Sequence, residues 1–405
     1  MKGELLGEAS SRPKLSTSPA PRPNIKIPSG PFKINGTRTA VIPTLGPNDA
    51  LIMTTLPLYD ESRPNDPRTE CIILQSVKDK ITSMPGFPEP IDAPNPKKYV
   101  IKPTKGKGMG MFATADIDVG EIIVVERPLL ISMRRLYGGP NNWQHPYEFQ
   151  RIAVERMEEQ DREEFFALHN CKGYTRPHET GISDTNAVAF GGLPGYDADC
   201  TAVCKDISRA NHSCSPNVDW DWRLESFTFE LRACWPILKG EEIFGSYTGL
   251  FEPRIERRKF LLERYNFKCV CTSCSSESPR SDVNRMVLKN ATKSAWCDGD
   301  KTLKDWVNNP SAPDDLIIAR CMPMIAIMLE EKLFRPHVWP IWFQRIIKAF
   351  CALEDEENAR FWAEKAAKLS RTAMRNDAGW EAVAKAPKNT DWWGLRAKAR
   401  NGYPA

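Results

Sequence analysis

Apolar residues recur at two different spacings along the chain. In residues 98–247 they come in short runs broken by turn residues: Tyr99-Val100-Ile101-Lys102, Gly110-Met111-Phe112-Ala113-Thr114, then 121–126, 218–223, 226–233 and 242–247. Such runs predict short strands, with Leu238-Lys239-Gly240-Glu241 as a turn. Residues 141–172 mix polar and apolar positions at helical spacing and predict a helix that interrupts the strands. A further helix is predicted over 254–264, where Ile255, Phe260, Leu261 and Leu262 stand in a charged background. From 283 onwards the pattern is helical throughout. The stretches 316–333, 339–353 and 358–374 carry apolar residues every three or four positions and predict paired antiparallel helices, with Pro323, Pro336 and Pro340 as kinks or breaks. The expected class is α+β: short strands with a helical insert, then an all-α C-terminal domain.

Sixteen of the 33 prolines fall in the first 100 residues. Residues 1–35, rich in Pro and Ser with no apolar period, are expected to be a disordered tail. Residues 36–95 hold only short apolar runs (39–43, 50–58, 71–74) and are expected to be isolated strands or a loosely packed extension. At 405 residues the chain is long enough for two or three domains. The expected divisions are 96–250 for the strand-rich part, 251–282 for a cysteine-bearing segment and 283–405 for the helices. No apolar run reaches 18 residues and the first 30 lack a secretory core, so a nuclear or cytoplasmic protein with no membrane partner is expected. A formal charge of +4 is too small to mark a nucleic-acid binder. Glu241-Glu242, and Asp219 with Asp221, are acidic patches able to meet a basic substrate tail, although such charge runs are usually solvated faces.

Twelve cysteines in this length are too dilute for a disulfide scaffold. Three of them, Cys269, Cys271 and Cys274, form a C-x-C-x-x-C cluster, and Cys214 upstream offers a fourth soft ligand for tetrahedral zinc. Four thiolates leave no open position, so such a zinc would be structural. The other eight cysteines read as small packing residues. Cys214 lies in the polar run Asn211-His212-Ser213-Cys214-Ser215-Pro216-Asn217, and the turn Gly106-Lys107-Gly108-Met109-Gly110 exposes backbone N–H groups without the rest of a P-loop.

These motifs, with Gly240-Glu241-Glu242-Ile243-x-x-Ser246-Tyr247 and Tyr265-x-Phe267 leading into the cysteines, resemble in content and order those of SET-domain protein lysine methyltransferases. The nearest types are the SET and MYND type and the fungal proteins with a split SET domain. The resemblance runs from about Lys98 to Cys274. It implies a SET-type β fold with a post-SET zinc site, S-adenosylmethionine as cofactor and a protein lysine, in a histone tail or another protein, as substrate. Residue by residue, it implies cofactor contacts from Lys107, Met109, Asn186, Asn211, His212 and Phe267. Tyr247 would border the methyl-transfer channel, Tyr265 would line the lysine pocket, and Cys214, Cys269, Cys271 and Cys274 would hold zinc. A monomer is expected. The MYND finger of that type has no counterpart, since residues 131–199 hold only Cys171. The same motifs leave open a catalytically weak interaction scaffold, and a methyltransferase acting on a small molecule or peptide natural product.

Overall fold

The computed structural model describes residues 25–26, 51–133, 144–275, 279–333, 335, 338–374 and 376–402. Most of the expected tail at 1–35, the run at 39–43 and Pro336 lie outside them. The strands, in chain order, are β1 (Ile25–Lys26), β2 (Leu51–Leu56), β3 (Thr69–Leu74), β4 (Tyr99–Thr104), β5 (Gly108–Ala113), β6 (Ile122–Glu126), β7 (Leu130–Met133), β8 (Val188–Phe190), β9 (Cys200–Val203), β10 (Asn211–His212), β11 (Val218–Arg223), β12 (Thr228–Ala233) and β13 (Glu242–Gly245). They form three sheets of order β1-β2-β3-β7-β9-β8, β10-β13-β5-β4 and β11-β12-β6. One continuous apolar core, built from residues between Leu51 and Ile243, joins them.

The run at 51–74 is not a loose extension. β3 is buried at every position, as a strand covered on both faces must be, and lies antiparallel to β2 and parallel to β7. Its Glu70 is 2% exposed and is neutralised by Arg156 at 3.0 Å. Helix α1 (Gln75–Thr82) follows without a break and buries Val77 and Ile81.

The insert also differs in detail from expectation. Instead of one helix over 141–172 there are α2 (Gln144–Glu155) and α3 (Glu159–Phe166), then a short 3-10 turn and α4 (His178–Asn186). The chain then makes β8 and β9, a 3-10 turn at Ile207–Arg209 and β10, which pairs parallel with β13 (Asn211 opposite Phe244, His212 opposite Gly245).

After β13 come α5 (Arg254–Tyr265) and α6 (Thr272–Ser275), then seven further helices: α7 (Pro279–Asp298), α8 (Lys301–Val307), α9 (Leu316–Glu330), α10 (Trp339–Ala352), α11 (Glu356–Met374), α12 (Trp380–Lys385) and α13 (Leu395–Arg400). They enclose a second core that includes Trp306, Trp339, Trp342 and Phe343. Pro323 sits inside α9 without ending it, while Pro340 occupies the first turn of α10, where its missing N–H costs nothing. The architecture is α+β with an all-α C-terminal part.

Candidate active site and metal centre

The sulfurs of Cys214, Cys269, Cys271 and Cys274 lie within 4.8 Å of one another, and those of Cys214 and Cys274 are 3.5 Å apart. Zn–S bonds of about 2.3 Å place the corners of a tetrahedron roughly 3.8 Å apart, so the four sulfurs fit zinc. Their surroundings suit thiolates. The Cys214 N–H donates to Cys271 Sγ at 3.4 Å, and fully buried Arg257 brings Nη2 to 4.0 Å from Cys274 Sγ. The Cys271 thiol is held low by hydrogen bonds from the neighbouring Cys214, Cys269 and Cys274 thiols, while the same sharing pushes Cys214 up. Two segments more than fifty residues apart are thus gathered at one point.

His212 carries that point into the polar run. Its Nδ1 accepts the Tyr247 backbone N–H at 3.0 Å, so the neutral ring's proton resides on Nε2, which faces Cys214 Sγ at 3.3 Å. Burial holds its pKa down, to about 4. The same imidazole packs 5.5 Å from the Tyr247 ring and 6.2 Å from the Phe267 ring.

Asn211, one residue earlier, spends both amide hydrogens: Nδ2 donates to the Met109 carbonyl at 3.1 Å and to Glu242 Oε1 at 2.9 Å. Its Oδ1 is left as an acceptor. Lys107 closes the same group, with Nζ 3.0 Å from Glu242 Oε2 and 4.5 Å from the centre of the Phe244 ring. Asn217 ties the run to β13 by donating from Nδ2 to the Glu242 carbonyl at 3.0 Å and accepting the Phe244 N–H at 2.7 Å.

A cavity of about 1050 Å³ opens beside this cradle. Tyr247, Tyr265 and Asn186 line it together with Ala210 and Ser246. The two tyrosine rings stand 5.0 Å apart, and the Tyr247 hydroxyl donates to the Ala210 carbonyl at 3.0 Å. Burial first, then the nearby Tyr265, keeps the Tyr247 hydroxyl protonated well above its ordinary range. Asn186, at the end of α4, repeats the pattern of Asn211: Nδ2 donates to the carbonyls of His169 and Ile182, both at 2.7 Å, leaving Oδ1 as an acceptor.

The predicted residues therefore fall into three touching groups: Lys107, Met109 and Asn211; Tyr247, Tyr265 and Asn186 on the cavity; and the four cysteines, with His212 and Phe267 between. Glu242 is a correction. The sequence places it on a solvated face, yet its side chain is 10% exposed and turned onto Lys107 and Asn211. Asp219 likewise pairs with Arg335 at 2.7 Å instead of facing solvent. Arg285 has no signal in its own neighbourhood of the sequence, but it reaches from α7 to the Cys214 carbonyl at 3.0 Å.

The SET domain family matches residues 108–248. Histone-lysine N-methyltransferase set5 of Schizosaccharomyces pombe is 33% identical over 196 residues, covering 47% of this chain and 56% of that protein. N-lysine methyltransferase SMYD2-B of Danio rerio is 37% identical over 106 residues (26% and 23%), and SMYD2 of Homo sapiens 33% over 112 residues (28% and 22%). The chain spans about half the length of the first of these relatives and about a quarter of the others. It carries a SET domain, and in that domain it is homologous to proteins named as lysine methyltransferases.

Proposed function

We propose that the protein is an S-adenosylmethionine-dependent protein lysine methyltransferase with a structural zinc. The observation that carries this reading is a pair of acceptor-only asparagines, Asn211 beside the glycine turn and Asn186 on the cavity that Tyr247 and Tyr265 also line. An amide that has spent both donors and offers only an oxygen suits a ligand's ammonium group, such as the α-amino group of the cofactor's amino-acid portion. Lys107 and Met109 would border that portion, and His212 and Phe267 the adenine. When bound, S-adenosylmethionine supplies a methyl group activated by its sulfonium.

The chain's own residues would bind, orient and desolvate the lysine. The free amine has a pKa of about 10.4, and transfer from water into the tyrosine-lined mouth disfavours its ammonium form. The Tyr247 hydroxyl, its proton committed to Ala210, presents lone pairs to an amine N–H. That contact leaves the nitrogen's own lone pair to point along the line of transfer. Cys214, Cys269, Cys271 and Cys274 would hold the zinc, and through it the Tyr265 to Phe267 segment.

The names of the relatives support a lysine as acceptor, in a histone for one of them; we place the substrate in a histone tail or another protein of the nucleus or cytoplasm. We propose that the enzyme acts on it as a monomer. Calorimetric titration of zinc-loaded protein with S-adenosylmethionine tests the cofactor assignment, with saturable binding that Asn211→Ala weakens measurably as the expected result. Transfer of labelled methyl groups to lysines of nuclear extract tests the activity. Tyr247→Phe is expected to lower that transfer on the order of 10²-fold, as loss of a positioned polar group does. Folded protein that binds no cofactor in the presence or absence of extract would overturn the reading.

A further inference from the structure

Glu242 touches both halves of the cradle, and the motif it belongs to implies no role for it. We propose that Glu242 is a positioning residue that sets the polarity of Asn211 and anchors Lys107 for the cofactor's amino-acid portion, an inference that rests on the methyltransferase reading. Its two oxygens are divided: Oε1 accepts from Asn211 Nδ2 at 2.9 Å and Oε2 meets Lys107 Nζ at 3.0 Å. A flipped Asn211 amide would set its oxygen against Glu242 Oε1 and the Met109 carbonyl, two acceptor-to-acceptor contacts at 2.9 and 3.1 Å. The carboxylate therefore forces Oδ1 outward as an acceptor.

The surroundings hold that carboxylate in place. The Lys107 ammonium neutralises it and packs over Phe244, two residues on along the same face of β13. Asn217 fixes the Glu242 backbone. Gly110 leaves the room it needs: a Cβ there would lie 2.9 Å from both Asn211 Nδ2 and Glu242 Oε1. The chain keeps open, beside the glycine turn, the space in which these two side chains meet.

A salt bridge that merely stabilised the fold would not care what Asn211 does, and this separates the two roles. The dissociation constant for S-adenosylmethionine is measured by calorimetry on full-length, zinc-loaded wild type, Glu242→Gln, Asn211→Ala and the double variant. Glu242→Gln, nearly isosteric, is expected to weaken binding about tenfold with unchanged zinc content and melting temperature. The double variant is expected to bind within about twofold of Asn211→Ala alone, because the carboxylate acts through the amide. Unaltered affinity in Glu242→Gln, or losses that multiply in the double variant, would overturn the positioning role. If Glu242→Gln does not fold, Glu242→Asp, which keeps the charge but is too short to span both partners, is read by the same criteria. Wild type that binds no cofactor would overturn the methyltransferase reading itself, whereas wild-type binding with an indifferent Glu242→Gln would overturn only the role of Glu242.

Discussion

At the scale of single residues, the cradle depends on an absent atom as much as on those present. Gly110 is buried on β5 and its backbone does not adopt the left-handed conformation, so only space requires glycine there. Gly110→Ala should push the Asn211 amide off Glu242 and weaken S-adenosylmethionine binding on the order of tenfold, the value of about one hydrogen bond, as read by calorimetry. Equal affinity in the variant would mean that the Asn211 to Glu242 contact is unimportant for binding. The glycine turn, the asparagine and the tyrosine were all legible in the sequence because each belongs to a motif. Glu242 belongs to the same motif as Tyr247, yet its contacts with Asn211 and Lys107 were not legible there. Which carboxylate of the Glu241-Glu242 pair turns inward is decided by the pairing of β13 with β5, Glu242 opposite Phe112, and that register is fixed by partners far away in the chain.

At the scale of elements, two short connections govern how the site is held. α5 ends at Asn266, whose left-handed backbone (φ 58°, ψ 35°) stops the helix between Tyr265 and Phe267 and turns the chain towards the cysteines. The cysteines close around little apolar material, chiefly Leu261 with partly buried Tyr247, Tyr265 and Phe267, so zinc should dominate the stability of this segment. Cys271→Ala is expected to lower zinc content and cofactor binding together, measured by metal analysis and calorimetry. Full zinc occupancy with normal binding would sink the four-cysteine assignment. The second connection is the turn at Ile207–Arg209 that leads into β10. Glu126 on β6 caps it, accepting the N–H groups of Asp206 and Ile207 at 3.1 and 2.6 Å. Burial first, then the Asp206 carboxylate, pushes its pKa up to about 7. Between the ordinary glutamate value and 7 the folded state holds a proton that the unfolded state has released. Stability should therefore fall as pH rises through that window, by ~3 kcal/mol from this group. Glu126→Gln should remove that contribution and leave the opposite one of buried His212, so the change in urea midpoint from pH 5 to pH 8 should be more positive in the variant than in wild type. A wild-type slope kept in the variant would show that other groups set it.

At the scale of the whole molecule, the sequence resolved local periods well and long-range partnerships poorly. The helices from α9 to α11 start and stop within a few residues of their periodic patterns, because each pattern is contained in its own segment. β2 and β3 looked like a loose extension because their partner β7 lies across α1, β4, β5 and β6 in the chain. The same applies to Arg285, whose function is visible only once α7 is laid against the polar run. Its guanidinium is fully buried and spends its donors on Glu331 Oε2 at 3.0 Å, the Cys214 carbonyl at 3.0 Å, the Leu250 carbonyl at 2.6 Å and Ser215 Oγ at 3.3 Å. One planar fork thus joins the C-terminal helices to a cysteine of the proposed zinc site and to the loop that follows Tyr247. Arg285→Ala would leave buried Glu331 without its cation and two buried carbonyls without this donor, and should destabilise the protein by roughly 3–5 kcal/mol in urea unfolding. Arg285→Lys should not restore it, since a lysine offers a point charge where four directed contacts are needed. If the helical part braces the site, cofactor affinity in Arg285→Lys should fall along with stability at temperatures where the variant is still folded. Lost stability with unchanged affinity would instead make the helices a separately anchored body that leaves the cradle to organise itself.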